Sequence, residues 1–172
     1  MKTVSASWLE KQNILIDDSM EEFYTLYQHH LATELIRRLQ SPPLQDLLQQ
    51  PLALKKKDQG GYWLANNFGL LLLTNSHKLL RVWQKREIEV ISWGEIKHQK
   101  INLIIETLNI LAVISRSGSN LCHAEIFKVL NKQLNKDEWL SFHGKNRFLI
   151  ADYLEWVDIS RSTFDRSRGR VL

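Results

Sequence analysis

Residues 62–86 read YWLANNFGLLLLTNSHKLLRVWQKR, the most apolar stretch of the chain, and the way it folds decides what the other segments pack around. Tyr62, Trp63, Leu64 and Ala65 lead through Asn66 and Asn67 into Phe68 and the run Leu70 to Leu73. On a helix such a run presents apolar groups on nearly every side, as a central buried helix requires. A bilayer span needs about 20 predominantly apolar residues. Here Gly60 and Gly61 precede the run, and Thr74, Asn75 and Ser76 close it. Ser76 can cap a second helix carrying Leu79, Leu80, Val82 and Trp83, so the stretch predicts an apolar helical hairpin buried in a soluble protein.

Around that hairpin, 172 residues suffice for one well-buried domain and leave little for a second core. Hydrophobic residues make up 44% and charged residues 24%, the balance of a globular protein rather than a disordered one. The single cysteine, Cys122, has no partner for an internal disulfide, so the covalent chemistry fits a reducing compartment. Lys2 is followed by polar residues and then by Glu10 and Lys11, which is not the pattern of an export signal, and a cytoplasmic location is expected. The net charge of +4 is uneven: residues 1–54 hold four Lys or Arg against seven Asp or Glu, so the surplus lies in residues 55–172. That polarity suits a protein set between two differently charged neighbours, or one with a basic face for nucleic acid, and equally a solvated surface with no partner.

Along the chain, Trp8, Leu9, Ile14, Leu15 and Ile16 form a short apolar segment without a clear periodicity. Asp17, Asp18 or Ser19 can then cap a helix running to about Gln40, with Phe23, Leu26, Tyr27, Leu31, Leu35, Ile36 and Leu39 spaced by threes and fours. Pro42 and Pro43 stop it, and Pro43 can open a short helix over 44–48. Lys55, Lys56, Lys57, Asp58, Gln59, Gly60 and Gly61 read as an exposed linker, the first place for proteolysis. Residues 86–91, REIEVI, alternate as a strand does, but a strand without a partner makes no sheet, so a connection is expected. Helices follow from Ser92 to Arg116, from Leu121 to Leu134 with Asn120 as cap, over a turn at 137–142, and from Arg147 to Val157. The expected fold is mainly α: a single compact orthogonal helical domain, 1–159, around the apolar hairpin, with a flexible basic tail at 160–172.

Candidate chemistry is sparse. Arg116 and His123 are separated by six intervening residues, which fits the loose Arg-x4-6-His spacing of the HEPN ribonucleases, where histidine does acid–base work and arginine stabilises charge at a phosphodiester. Against this stands the structural reading, in which Arg116 ends one helix and His123 starts another, and which we favour. Cys122 and His123 are adjacent, so on a helix they project about 100° apart and cannot easily share a proton. The six histidines form no HExxH, and no CxxC is present, so neither a metal nor a cofactor is expected. The loop KKKDQGG lacks the Gly-Lys-Ser/Thr order of a phosphate cradle. Arg161, Arg166, Arg168 and Arg170 could contact phosphates of a nucleic acid, or an acidic protein groove.

The segment LLLTNSHKLLRVWQ, with Leu72, Leu73, His77, Lys78, Leu79 and Arg81, preceded by WLANN, resembles the middle of the SctK family. These are small, mostly helical, non-enzymatic accessory proteins of the type III secretion sorting platform. Tyr24, Tyr27, His29 and Leu31 lie where the family carries an aromatic and histidine-containing opening motif, although the prolines usual in that motif are absent. The resemblance implies an adaptor linking the cytoplasmic domain of the inner-membrane ring to the pod protein. A nucleic-acid protein, whether a helical ribonuclease or a simple binder, is the competing class, and an immunity protein or chaperone is a third.

Overall fold

A strand is stable only with neighbours on its edges, and the REIEVI segment has two of them. The computed structural model describes residues 2–5, 8–9, 11–16, 21–38, 42–43, 46, 50–64, 66–67, 87–92, 99–116 and 120–168. Five strands are found there: β1 (Lys2–Ser5), β2 (Ile14–Leu15), β3 (Leu52–Lys56), β4 (Tyr62–Leu64) and β5 (Glu87–Ser92). They form one mixed sheet in the order β1-β5-β3-β4-β2. β5 pairs antiparallel with β1, placing Thr3 opposite Glu89, and parallel with β3, placing Val90 opposite Leu52. The expectation of a connection at 86–91 is therefore corrected, and the mainly helical chain also carries a mixed sheet.

The register explains why these short segments hold. Alternate residues share a face, so Val4, Val90, Leu52, Leu54 and Leu64 fall on one side of the sheet, while Thr3, Ser5, Glu89, Lys55 and Trp63 fall on the other. Val4, Leu52, Leu54 and Leu64 are buried, whereas Thr3, Ser5 and Glu89 are exposed. One face meets the core, and the other is exposed at Thr3, Ser5 and Glu89 but covered at Ala53.

β3 and β4 make a hairpin across the expected linker. Lys55 and Lys56 belong to β3, and the exposed turn is confined to 58–60. Lys57 donates its amide to Gly61 O at 3.0 Å, and Gly60 donates to Lys57 O at 3.3 Å. Beyond β4, Asn66 Oδ1 accepts from the Ala53 amide at 2.7 Å and Asn66 Nδ2 donates to Pro51 O at 3.0 Å, tying the chain back beside β3. Asn67, at φ 56°, donates Nδ2 to Gln50 O at 2.8 Å. The start of the expected helical hairpin, Tyr62–Leu64, is thus a strand; its remainder from 68 to 86 lies outside the described residues, as does the short helix expected at 44–48 apart from residue 46.

Six helices are described: α1 (Glu21–Arg37), α2 (Gln99–Arg116), α3 (His123–Gln133), α4 (Lys136–His143), α5 (Ile150–Val157) and α6 (Arg161–Ser167). The apolar period near 3.6 puts one face of α2 wholly inside: Leu103, Thr107, Leu108, Ile110, Leu111 and Ile114 show no exposure. The Thr107 hydroxyl is satisfied within the helix, donating to Leu103 O at 2.7 Å. α1 packs against α2 and α3 through Leu31 and Leu35, and α2 also packs against α5. Ser92, the expected helix start, belongs to β5, and α2 is described from Gln99. At the other end the tail is not free. Residues 161–167 form α6, with Phe164 and Ser167 buried, which corrects the expected flexible tail.

No helix among the described residues is long and apolar enough to cross a membrane.

Candidate functional site

Cys122 and His123, two of the side chains that sequence reading singled out, lie where α3, α5 and α6 meet. α3 starts without help from its own N-cap residue, since Cys122 makes no side-chain cap hydrogen bond. The first-turn Ala124 amide instead donates to Ser167 Oγ, 3.2 Å away on α6. The Cys122 thiol donates to Ser167 O at 3.2 Å, and Ser167 Oγ donates to Phe164 O at 2.6 Å. One serine therefore serves both the end of α6 and the start of α3, a role with no signal in the sequence because the two helices are joined only through α4 and α5.

His123 is 2% exposed, with Nδ1 at 2.9 Å from Tyr153 Oη. Burial, followed by the nearby Cys122 sulfur, pushes the Tyr153 phenol well above its ordinary range and keeps it protonated. Its hydroxyl either donates to an unprotonated Nδ1 or accepts from a protonated one, and in both cases that ring nitrogen is occupied. Phe127 and Phe164 set their rings edge-on to Tyr153, with centroids 5.6 Å and 5.9 Å away. His123 thus joins an aromatic cluster within the core.

Arg116 stands elsewhere. It ends α2, its side chain is 69% exposed, and Nε lies 3.3 Å from Asp158 Oδ2 at the end of α5. The sequence spacing of Arg116 and His123 becomes one exposed cation and one buried imidazole, each with its own partner. Acid–base catalysis on a phosphodiester needs both groups at a surface where a substrate can reach them.

The tail arginines are exposed, but not as a uniform cationic strip. Arg161 and Arg168 share Asp165, at 2.9 Å and 3.6 Å, and their guanidinium groups lie 5.8 Å and 5.7 Å from the Phe164 ring centroid. Arg166 Nε donates to Ser162 O at 3.2 Å. Arg170 lies outside the described residues.

A second polar cluster, at the α4–α5 turn, was not singled out from sequence. α4 has a complete capping box, Asn135 with Glu138, and ends on Gly144 in the left-handed conformation at φ 71°. Just beyond, the buried Asp152 carboxylate accepts from the Leu149 amide at 2.8 Å, pairs with Lys145, and has His143 Nε2 3.4 Å from Oδ1. Burial by itself would raise the pKa of Asp152. Bonds from Lys145, the Leu149 amide and His143, with the Lys145 charge, outweigh burial and hold the carboxyl below its usual value. An acid three residues after Leu149 at a helix start is the legible half of this pattern. Beneath it Trp139 stacks on Phe148 with centroids 4.8 Å apart, and Phe148 also meets the edge of His143 at 5.5 Å.

Among the described residues no group of three or more His, Cys, Asp or Glu side chains is placed to hold a metal ion. No protein-family model matches the chain, and neither a curated protein nor a solved structure matches it.

Proposed function

We propose that this protein is a non-enzymatic adaptor, and specifically that it acts in the cytoplasm as an accessory protein of a type III secretion sorting platform, between the inner-membrane ring and the pod protein. The observation that carries the first half is the commitment of the reactive side chains to packing. Cys122 and His123 are each 2% exposed, bonded to Ser167 and Tyr153, and an enzyme built on either would need it at a solvent-reachable surface. The second half rests on the resemblance carried by Leu72, Leu73, His77, Lys78, Leu79 and Arg81. The unequal charge of the first 54 residues and the remainder supports two differently charged neighbours, with electrostatics setting encounter rate and orientation and apolar contacts setting lifetime.

The test is deletion in a host carrying such a secretion system, combined with recovery of the tagged full-length chain from the same host. Secretion should be lost while the membrane rings still assemble, and the tagged chain should bring down the ring's cytoplasmic domain and the pod protein. Normal secretion in the deletion strain overturns the assignment. Recovery of the chain with RNA that is released by salt, and without those partners, would replace it with nucleic-acid binding through the exposed arginines.

A further inference from the structure

We propose that α6 is a strap that opens as a unit, uncovering Cys122 while the rest of the chain stays folded. The helix is held by very little. Only Phe164 and Ser167 of its seven residues are buried; Arg161, Ser162, Asp165 and Arg166 are exposed. Phe164 sets its ring edge-on against Phe127 and Tyr153, with centroids 6.0 Å and 5.9 Å away, and Ser167 makes the two hydrogen bonds to the start of α3. Local opening free energy follows the buried contacts that are lost, so a seven-residue helix with two buried side chains among the described residues lies at the low end of the range.

The attachment is also built for hinging. α5 closes on Asp158 in the left-handed conformation at φ 59°, and Ile159 donates back to Leu154 O at 3.2 Å, so α5 ends independently of α6. α6 begins with its own cap, because Ser160 Oγ accepts from the Thr163 amide at 3.2 Å. The two helices are therefore capped separately at the joint. What it removes lies on α3, whose Ala124 amide loses Ser167 Oγ and whose N-cap residue Cys122 becomes accessible.

A closed strap leaves the thiol 2% exposed, and an adduct on the sulfur would occupy the place of Ser167 O, 3.2 Å away. Modification of Cys122 and seating of α6 thus exclude one another. A thiol-directed reagent that catches the open state would hold the strap off.

Cys122 is the only cysteine, so thiol labelling reads this position alone. DTNB is the probe: the thiolate attacks its disulfide, a mixed disulfide forms on Cys122, and thionitrobenzoate leaves with its electron pair and is read by absorbance. The labelling rate of the full chain is measured against urea beside global unfolding followed by tryptophan fluorescence. Strap opening exposes little surface, so the urea dependence of labelling should be less than about half that of global unfolding. Ser167→Ala, which removes the bond to Ala124, should speed labelling about tenfold while the shallow urea dependence of labelling is kept. Labelled protein should show fast hydrogen exchange across 161–167 with α2 still protected. A urea dependence equal to that of global unfolding, no labelling before global unfolding, or an unchanged rate in Ser167→Ala would each overturn the proposal.

Discussion

Asp152 shows how much one side chain can organise when two donors converge on it. Its carboxylate joins the Leu149 amide and the Lys145 ammonium at one buried group, with the His143 ring 3.4 Å away, so the turn between α4 and α5 is set by charge as well as by packing. Asp152→Ala should cost about 2–3 kcal/mol at neutral pH, through the lost helix-start acceptor and the Lys145 ammonium left without it, as read from urea unfolding. The pH dependence has a definite sign. The folded-state pKa lies below the ordinary aspartate value of 3.8, so this contribution is complete above about pH 4 and is lost as pH falls through the lower folded value. The wild-type chain should lose stability on that acid limb faster than Asp152→Ala does; parallel acid limbs would refute this account of the cluster.

At the scale of the element, the β3–β4 hairpin depends on glycines that look interchangeable in the sequence. Gly60 and Gly61 both have positive φ, 89° and 82°. A Cβ on Gly60 would meet open space, whereas one on Gly61 would lie 2.5 Å from the Asn13 carbonyl oxygen. That same oxygen accepts from the Tyr62 amide at 2.9 Å, at the point where β2 begins its parallel pairing with β4. Gly60→Ala should therefore cost only the left-handed backbone, about 1–2 kcal/mol. Gly61→Ala adds a backbone clash and should cost about 2–4 kcal/mol. Equal thermal or urea midpoints for the two variants would count against the seating of β2 on β4. The same hairpin limits the expected proteolysis: cleavage belongs at 58–60, since Lys55 and Lys56 are hydrogen-bonded strand.

For the whole molecule, the distribution of burial sets an order of stability. α2 contributes five Leu and Ile side chains with no exposure, each worth about 1.5–3 kcal/mol of burial, whereas α6 contributes one phenylalanine. Native-state hydrogen exchange should place the slowest amides in α2 and the fastest helical amides in α6. Slowest exchange in α6 would contradict both this order and the strap. Circular dichroism should show a helical spectrum with a strand contribution, as six helices and a five-stranded sheet require.

The helices from 99 onward were legible in the sequence because their information is local. Apolar residues at threes and fours mark faces within a few residues of where they act, so α2 to α5 emerge near their expected places. The sheet was not legible, although the alternation of REIEVI was in plain view. Its stability comes from Lys2–Ser5 and Leu52–Lys56, segments too short to announce themselves and far away in the chain, and pairing is a property of two segments at once. The junction of α3, α5 and α6 divides in the same way. Sequence supplied Cys122, His123 and an arginine-rich end; only the tertiary structure set Tyr153 beside His123 and Ser167 beside Cys122. Buried donors and acceptors must be satisfied by whatever group arrives in space, and distance along the chain carries no information about which group that will be.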